Sequence, residues 1–494
     1  MKWTNRIIQM AIAWVIATAT IPASSIMAQK ASIPRVLDRR LQISLFAEDP
    51  DIVTPIGMAI SADDRIFVIE SHTHLRSKSY AGPTSDRIKI FVDQDNDGQI
   101  DQQSVFADGL REAMNLAFSP DGDLYVVCAR SVVHLPDENH DGIADRHNIV
   151  LKLETQERYA HNSLLGITFD KTGHMYVARG NTGSHAYRIE GPDDSLVEGY
   201  GDGGSVIRCK VDGSQLVEFS TGFWNPFDLK FDAAGRLLVV DNDPDARGPN
   251  RLLQAVFGGD YGYTSIYGGA GTHPFQGWEG DLPGTLPYLA GTGEAPSGLI
   301  DCRRTSLPID YQDSVLVSIW NENSIERFQL SHQNGTLVST PRQPFVVGDK
   351  NFRPVALAAD SLGNLFVTDW MLVDYPNHGK GRIWRISPAA SAVSSSLQKP
   401  LPEFSIPLPD PVQTTIQTLH RQNHPLDEAT LTDALQHPSS VVRHAAVMQL
   451  SDPKSNALLN QLRTSPNHQI RLAAVLAQRR RTPDDAVAIR RYLV

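Results

Sequence analysis

The chain has 494 residues, 41% of them apolar, enough for two or three domains and a sizeable core. It carries 45 Lys and Arg against 56 Asp and Glu, a formal net charge of −11, with no long basic run. This balance argues against nucleic acid and anionic membrane surfaces as partners, which need clustered cations, and suits a neutral substrate.

Residues 1–28 read as a signal peptide. Lys2 and Arg6 form a positive start, Ile7 to Ile21 is apolar, and Ala28 is a suitable cleavage position. The apolar run is short for a membrane anchor. No cysteine follows it, which argues against a lipoprotein, and no later stretch is apolar enough to span a bilayer. The expected location is therefore periplasmic or secreted, without an integral membrane domain. The three cysteines, Cys128, Cys209 and Cys302, make neither a disulfide framework nor a zinc site. No Cys-x-x-Cys-His is present, so no covalent haem is encoded.

From there to Pro388 one pattern recurs: an alternating apolar strand, an Asp/Gly turn and a second such strand. It runs as GMAISADDRIFVIES from Gly57, NLAFSPDGDLYVVCA from Asn115 and GITFDKTGHMYVARG from Gly166. It returns as DLKFDAAGRLLVVDN from Asp228 and VALAADSLGNLFVTDW from Val355, with a degenerate copy from Ser297. Six such units predict a mainly β protein, a six-bladed β-propeller over residues 34–388. A hairpin starts and ends at one edge, so residues flanking each unit must share one rim of the disc. That places together His72 and His74, Arg130, His161, Gly180 and Asn181, Asn225, Asp241 to Asp243, Asn321, Arg353, and Asp369 with Trp370.

Two loops carry alternating oxygen ligands and a turn glycine. The first holds Asp93, Asp95, Asp97, Gly98, Gln99 and Asp101; the second holds Asp137, Asn139, Asp141, Gly142, Ile143 and Asp145. Side chains at alternate positions, with the backbone carbonyls of Gln99 and Ile143, are spaced to wrap a calcium ion. Ser104 and Asn148 occupy the twelfth positions, so these are not helix-loop-helix sensors. Their expected role is to brace long loops, and a metal-free Asp/Gly hairpin tip is the alternative. The segment from Asp241 to Arg251 also crowds carboxylates near the rim, either around a metal or as partners of Arg247 and Arg251.

Residues 389–411, rich in Ala, Ser and Pro, read as a linker. Residues 412–494 turn helical: RHAAVMQL from Arg443 and RLAAVLAQ from Arg471 repeat with a common phase. Such pairs predict HEAT-like repeats that dock on the propeller or on a protein partner.

His161, in YAHNSLLGITFD, is the candidate catalytic residue, since an imidazole on the rim accepts a proton near neutral pH. The alternative is a histidine simply hydrogen-bonded inside the channel. The segment from His161 to Gly173 resembles the one carrying the catalytic histidine in soluble quinoprotein glucose and sorbosone dehydrogenases. FWNPFDLKFDAAGRLLVVDNDPD and GGDYGY resemble their next blade. The region from Leu41 to Pro388, with GTGEAPSG and DWMLVDYPNHGKGRIWR, is similar to membrane-bound dehydrogenase domains of planctomycete-like bacteria. The resemblance implies pyrroloquinoline quinone on the rim with His161 as general base. Asn225 and Arg353 would touch that cofactor, and the carbonyls of Asp243 and Pro244 would lie near its calcium. Three basic positions of the pattern are replaced, by Trp224, by Asn321 or Glu322, and by Asn351. Trp224 is suited to stacking on a flat ring or a sugar.

The leading expectation is thus an exported quinoprotein-like oxidoreductase acting on a sugar or alcohol. A non-catalytic carbohydrate- or protein-binding propeller and a metal-dependent propeller hydrolase or lyase are the alternatives, and fold alone does not choose among them.

Overall fold

The structure is a computed structural model; it describes residues 33–183, 185–200, 203–242, 249–263, 279–333, 336–389, 410–421 and 427–483. The expected signal peptide, nearly all of the expected linker, and Asp243 and Pro244 lie outside these residues. Six sheets, antiparallel except where the short strand Gly259–Asp260 pairs in parallel with Val217–Phe223, form the blades of a propeller, and a short helical region follows.

The innermost strands are Pro55–Ile60, Ala113–Phe118, Leu164–Phe169, Asn225–Phe231, Pro296–Asp301 and Pro354–Ala359. Each touches its neighbours, and the sixth touches the first, so the ring is closed. Closure is made by chain ends: Leu41–Glu48 is the outer strand of blade 6, paired with Arg382–Pro388. Between every two adjacent blades lies an apolar layer; Phe67, Ile69, Leu116 and Val126 form part of the one between blades 1 and 2. Second strands such as Ile66–Glu70 and Leu124–Cys128 are buried throughout, because each is covered on both faces by neighbouring blades.

The recurring Asp/Gly signal is a five-residue turn. In blade 4, Asp232 accepts the Gly235 N–H on its carbonyl and the Arg236 N–H on its side chain. The fourth turn residue is left-handed, as at Gly122 (φ +94°). Asp64 takes this position in blade 1 (φ +61°), and its carboxylate binds the Ser361 N–H and hydroxyl of blade 6. The degenerate fifth unit lacks the tight turn: two 3-10 turns, Cys302–Arg304 and Ile309–Tyr311, separate Pro296–Asp301 from Ser314–Ile319.

All six inner hairpins break register at the same end, for example between Ala113 and Asn115 and between Pro226 and Asp228. Such bulges bend the strand start and aim side chains at the channel mouth. Beneath the mouth, Asn115 Nδ2 donates to Asp228 Oδ1 at 3.0 Å across the channel.

The helices are α1 (Pro411–Arg421), α2 (Glu428–Leu435), α3 (Ser440–Leu450), α4 (Asn456–Leu462) and α5 (His468–Arg481). The sequence repeat is a structural one. Arg443 donates to the carbonyls of His437 and Pro438, and Arg471 to those of Ser465 and Pro466, the same offsets in α3 and α5. The helical region docks on the rim at blades 4 and 5: Asp410 accepts from Arg236 of blade 4 and His332 of blade 5, and Gln413 donates to the Gly235 carbonyl.

Candidate functional site

The opposite rim carries a pocket of about 560 Å³ at the channel mouth. His161 is half-buried there, immediately before the inner strand Leu164–Phe169. Gly180 lets it come close: a Cβ at that position would meet the His161 carbonyl at 2.3 Å and Asn225 Oδ1 at 2.6 Å. Around His161 stand Tyr159, Phe227 and Tyr375, each edge-on at ring-centroid distances of 5.2, 5.7 and 5.5 Å. The ring of His74 stacks on His161 at 5.5 Å. Tyr375 in turn stacks on Trp320 at 5.0 Å.

Burial removes both histidines from their usual titration range. It pushes His161 down to about 4. His74 falls to about 3, through burial first and then the neighbouring His161. Both rings are neutral at neutral pH. The hydrogen-bond partner of the His161 ring is the Tyr159 hydroxyl, 3.4 Å from Nδ1. His74 Nδ1 is buried without a partner.

Three asparagines lock the floor. Asn181 Nδ2 donates to Asn162 Oδ1 at 2.9 Å and to Asn225 Oδ1 at 3.0 Å. Asn162 and Asn225 face the pocket, and buried Asn181 holds them from behind. Trp224 also lines the pocket, fixed edge-on against Tyr263 at 4.9 Å. The Trp224 backbone N–H donates to Asp241, whose carboxylate pairs with the buried Arg251 at 2.6 Å.

Of the rim residues read from the sequence, His74, His161, Trp224, Asn225, Asn242 and Trp370 meet in this pocket. Arg353 differs from expectation, as it lies behind the wall instead of contacting the cavity. Its guanidinium sits 4.8 Å over Trp320 and donates to the Trp320 and Asn321 carbonyls at 2.9 and 3.0 Å. Those carbonyls follow a blade 5 strand, and a single guanidinium nitrogen of Arg353, Nη1, donates to both. Arg130 is likewise committed to the carbonyls of Glu157 and Asn162. His72 is tied to Glu70 and Tyr80. Hairpin reasoning missed Glu157, Tyr159, His185, Glu294, Trp320 and Tyr375. Glu294 and Trp320 obey the same flanking rule, so they were within reach of it. Tyr375 comes from the turn between the second and third strands of blade 6, which inner-hairpin repeats do not reveal.

No Lys or Arg lines the pocket among the described residues, whereas Glu157 and Glu294 do. Burial raises the Glu157 carboxyl, but the N–H groups of Tyr159 and Arg158 outweigh it and hold the group below its ordinary value. A tricarboxylate quinone needs cationic partners. The described lining therefore does not fit pyrroloquinoline quinone.

The two Asp loops lie on the opposite rim, on blades 1 and 2. In the first, carboxylate oxygens of Asp93, Asp95 and Asp101 fall within 4.8 Å of one another. Asp93 Oδ1 is buried without a hydrogen bond, and burial raises its carboxyl. The second loop repeats the geometry: Gly98 N–H donates to Asp93 as Gly142 N–H does to Asp137. Likewise Gln99 N–H donates to Asp97 as Ile143 N–H does to Asp141. These oxygens fit a hard cation.

A family model described as "Domain of unknown function (DUF7133)" matches residues 32–390. No curated protein sequence matches the chain. Among solved structures, a glucose dehydrogenase shares 15% identity and a TM-score of 0.51, covering 70% of this chain and 100% of its own. The holo pyranose dehydrogenase PQQ domain from Coprinopsis cinerea shares 11% identity and a TM-score of 0.52, with 72% and 97% covered. The fold is that of the sugar-dehydrogenase propellers. Among the described residues, no helix is long and apolar enough to cross a membrane.

Proposed function

The chain belongs to the family of the domain of unknown function DUF7133, and from that premise we propose that its pocket binds a sugar or similar polyol. The observation that carries this is the lining: aromatic rings of Tyr159, Trp224 and Tyr375 beside the polar groups of His161, Asn162 and Asn225. A sugar offers C–H faces for such rings and hydroxyls for such polar groups. Neutral His161 presents a ring nitrogen to a ligand hydroxyl. With a conjugate acid near 4, it is a weak base, so it orients that hydroxyl better than it deprotonates it. Calorimetry with neutral sugars tests this. We expect binding, weakened about tenfold by Trp224→Ala and also weakened by His161→Asn. Failure of every sugar to bind would sink it.

A second reading, oxidation of the bound sugar or alcohol, is favoured by the fold shared with a pyranose dehydrogenase PQQ domain. Its test is dye reduction by the full chain mixed with pyrroloquinoline quinone and calcium. The lack of countercharge leads us to expect no tight uptake; sugar-dependent dye reduction would establish the oxidation reading instead.

The two Asp loops are proposed calcium sites that brace the distal rim. Chelation should lower the melting temperature, calcium should restore it better than magnesium, and Asp93→Ala should blunt the response. Residues 1–28 are proposed as an export signal, and the helices as HEAT-like repeats with a face open to a protein partner.

A further inference from the structure

Resting on the sugar reading, we infer that the pocket's ligand carries a positive charge and is an amino sugar. Three features converge on this class. The first is charge: Glu157 and Glu294 face the cavity, and no Lys or Arg does among the described residues. Arg130 donates to the carbonyls of Glu157 and Asn162, and Arg353 Nη1 donates to those of Trp320 and Asn321. The Glu294 carboxylate accepts from Asn250 Nδ2 at 3.0 Å on Oε2. Glu157 receives the Arg158 and Tyr159 N–H groups on Oε1.

The second feature is the aromatic wall. Trp224, Trp320, Trp370, Tyr159 and Tyr375 all line the cavity, and the faces of such rings attract cations. Trp320 already carries a cation, the Arg353 guanidinium 4.8 Å over its ring, and stacks on Tyr375, so the other rings are the ones offered to a ligand. The third feature is the histidine pair. His74 and His161 stay neutral through burial and add no positive charge to the cavity, which His185 also lines on the Glu157 side. The chain's net charge of −11 draws cations toward it over longer range. An ammonium group on a pyranose ring satisfies carboxylates and rings together, whereas a uronate meets repulsion.

The test is calorimetry of the full chain with glucose, glucosamine and glucuronate at neutral pH, at low and physiological salt. Glucosamine should bind about tenfold tighter than glucose, an advantage reduced by salt. Glucuronate should bind weakest. Glu157→Gln and Glu294→Gln keep a carbonyl acceptor for the local hydrogen bonds, so each should fold; in each, the ratio of glucosamine to glucose affinity should fall several-fold. Glucose binding without an amine advantage, or glucuronate equal to glucosamine, overturns the inference while the sugar reading stands. An unchanged ratio in both variants also overturns it. Binding of none of the three overturns the inference and the sugar reading together.

Discussion

At the scale of single residues, environment decides what a side chain does. His161 carries an ordinary imidazole, yet the rings around it hold its conjugate acid near 4, and His74 beside it near 3. In the unfolded chain both return to about 6.5. Folded values lie below unfolded ones, so the unfolded chain binds the extra protons between them. Stability is therefore complete above about pH 6.5 and is lost as pH falls toward 4. Each histidine contributes up to about 1.4 kcal/mol per pH unit inside that window. Denaturant titrations of the wild type and His161→Asn across it should show a shallower slope in the variant; identical slopes would contradict a neutral, buried His161. The position of His161 and Asn225 at strand starts was legible in the sequence, because flanks of a hairpin share a rim. The direction of the Arg353 guanidinium was not, since carbonyls from another blade hold its Nη1.

Among elements, the inner strands show how local sequence meets packing. Gly166 faces the inner strand of blade 4, where a Cβ would meet Leu229 Cδ2 at 2.6 Å and the Phe227 carbonyl at 3.0 Å. Gly57 and Gly298 make the same approach to blades 2 and 6. Backbones that close leave no room for a methyl group without moving a blade. Gly166→Ala should cost about 1–3 kcal/mol of stability by overpacking, measured by denaturant unfolding. An Ala tolerated there without loss would mean that the blades yield more easily than their contacts imply. Strand pairs and five-residue turns were readable from the alternation and the Asp/Gly signal. The fifth blade was faint because its inner hairpin is bridged by 3-10 turns instead. The outer ribbon of blade 2, Ala186–Glu190 with Leu196–Tyr200, went unseen because it lies outside the repeat.

For the whole molecule, the pocket and the helical tail occupy opposite rims. Asp410 caps α1 at the Val412 N–H and also accepts from Arg236 and His332 of the propeller. Asp410→Ala removes a helix cap and the acceptor of Arg236 and His332 at once, an expected loss of about 2 kcal/mol. Ligand affinity at the pocket should stay unchanged in that variant; a parallel loss of affinity would show that tail and pocket are coupled. By itself, the sequence determined the blade number, the hairpins and which strand ends share a rim, because these follow from local alternation and chain continuity. The tertiary structure alone decided which rim residues reach the cavity, which arginines turn away and where the tail docks. Those outcomes depend on side chains from different blades competing for the same carbonyls and the same buried volume, and no local pattern encodes that competition.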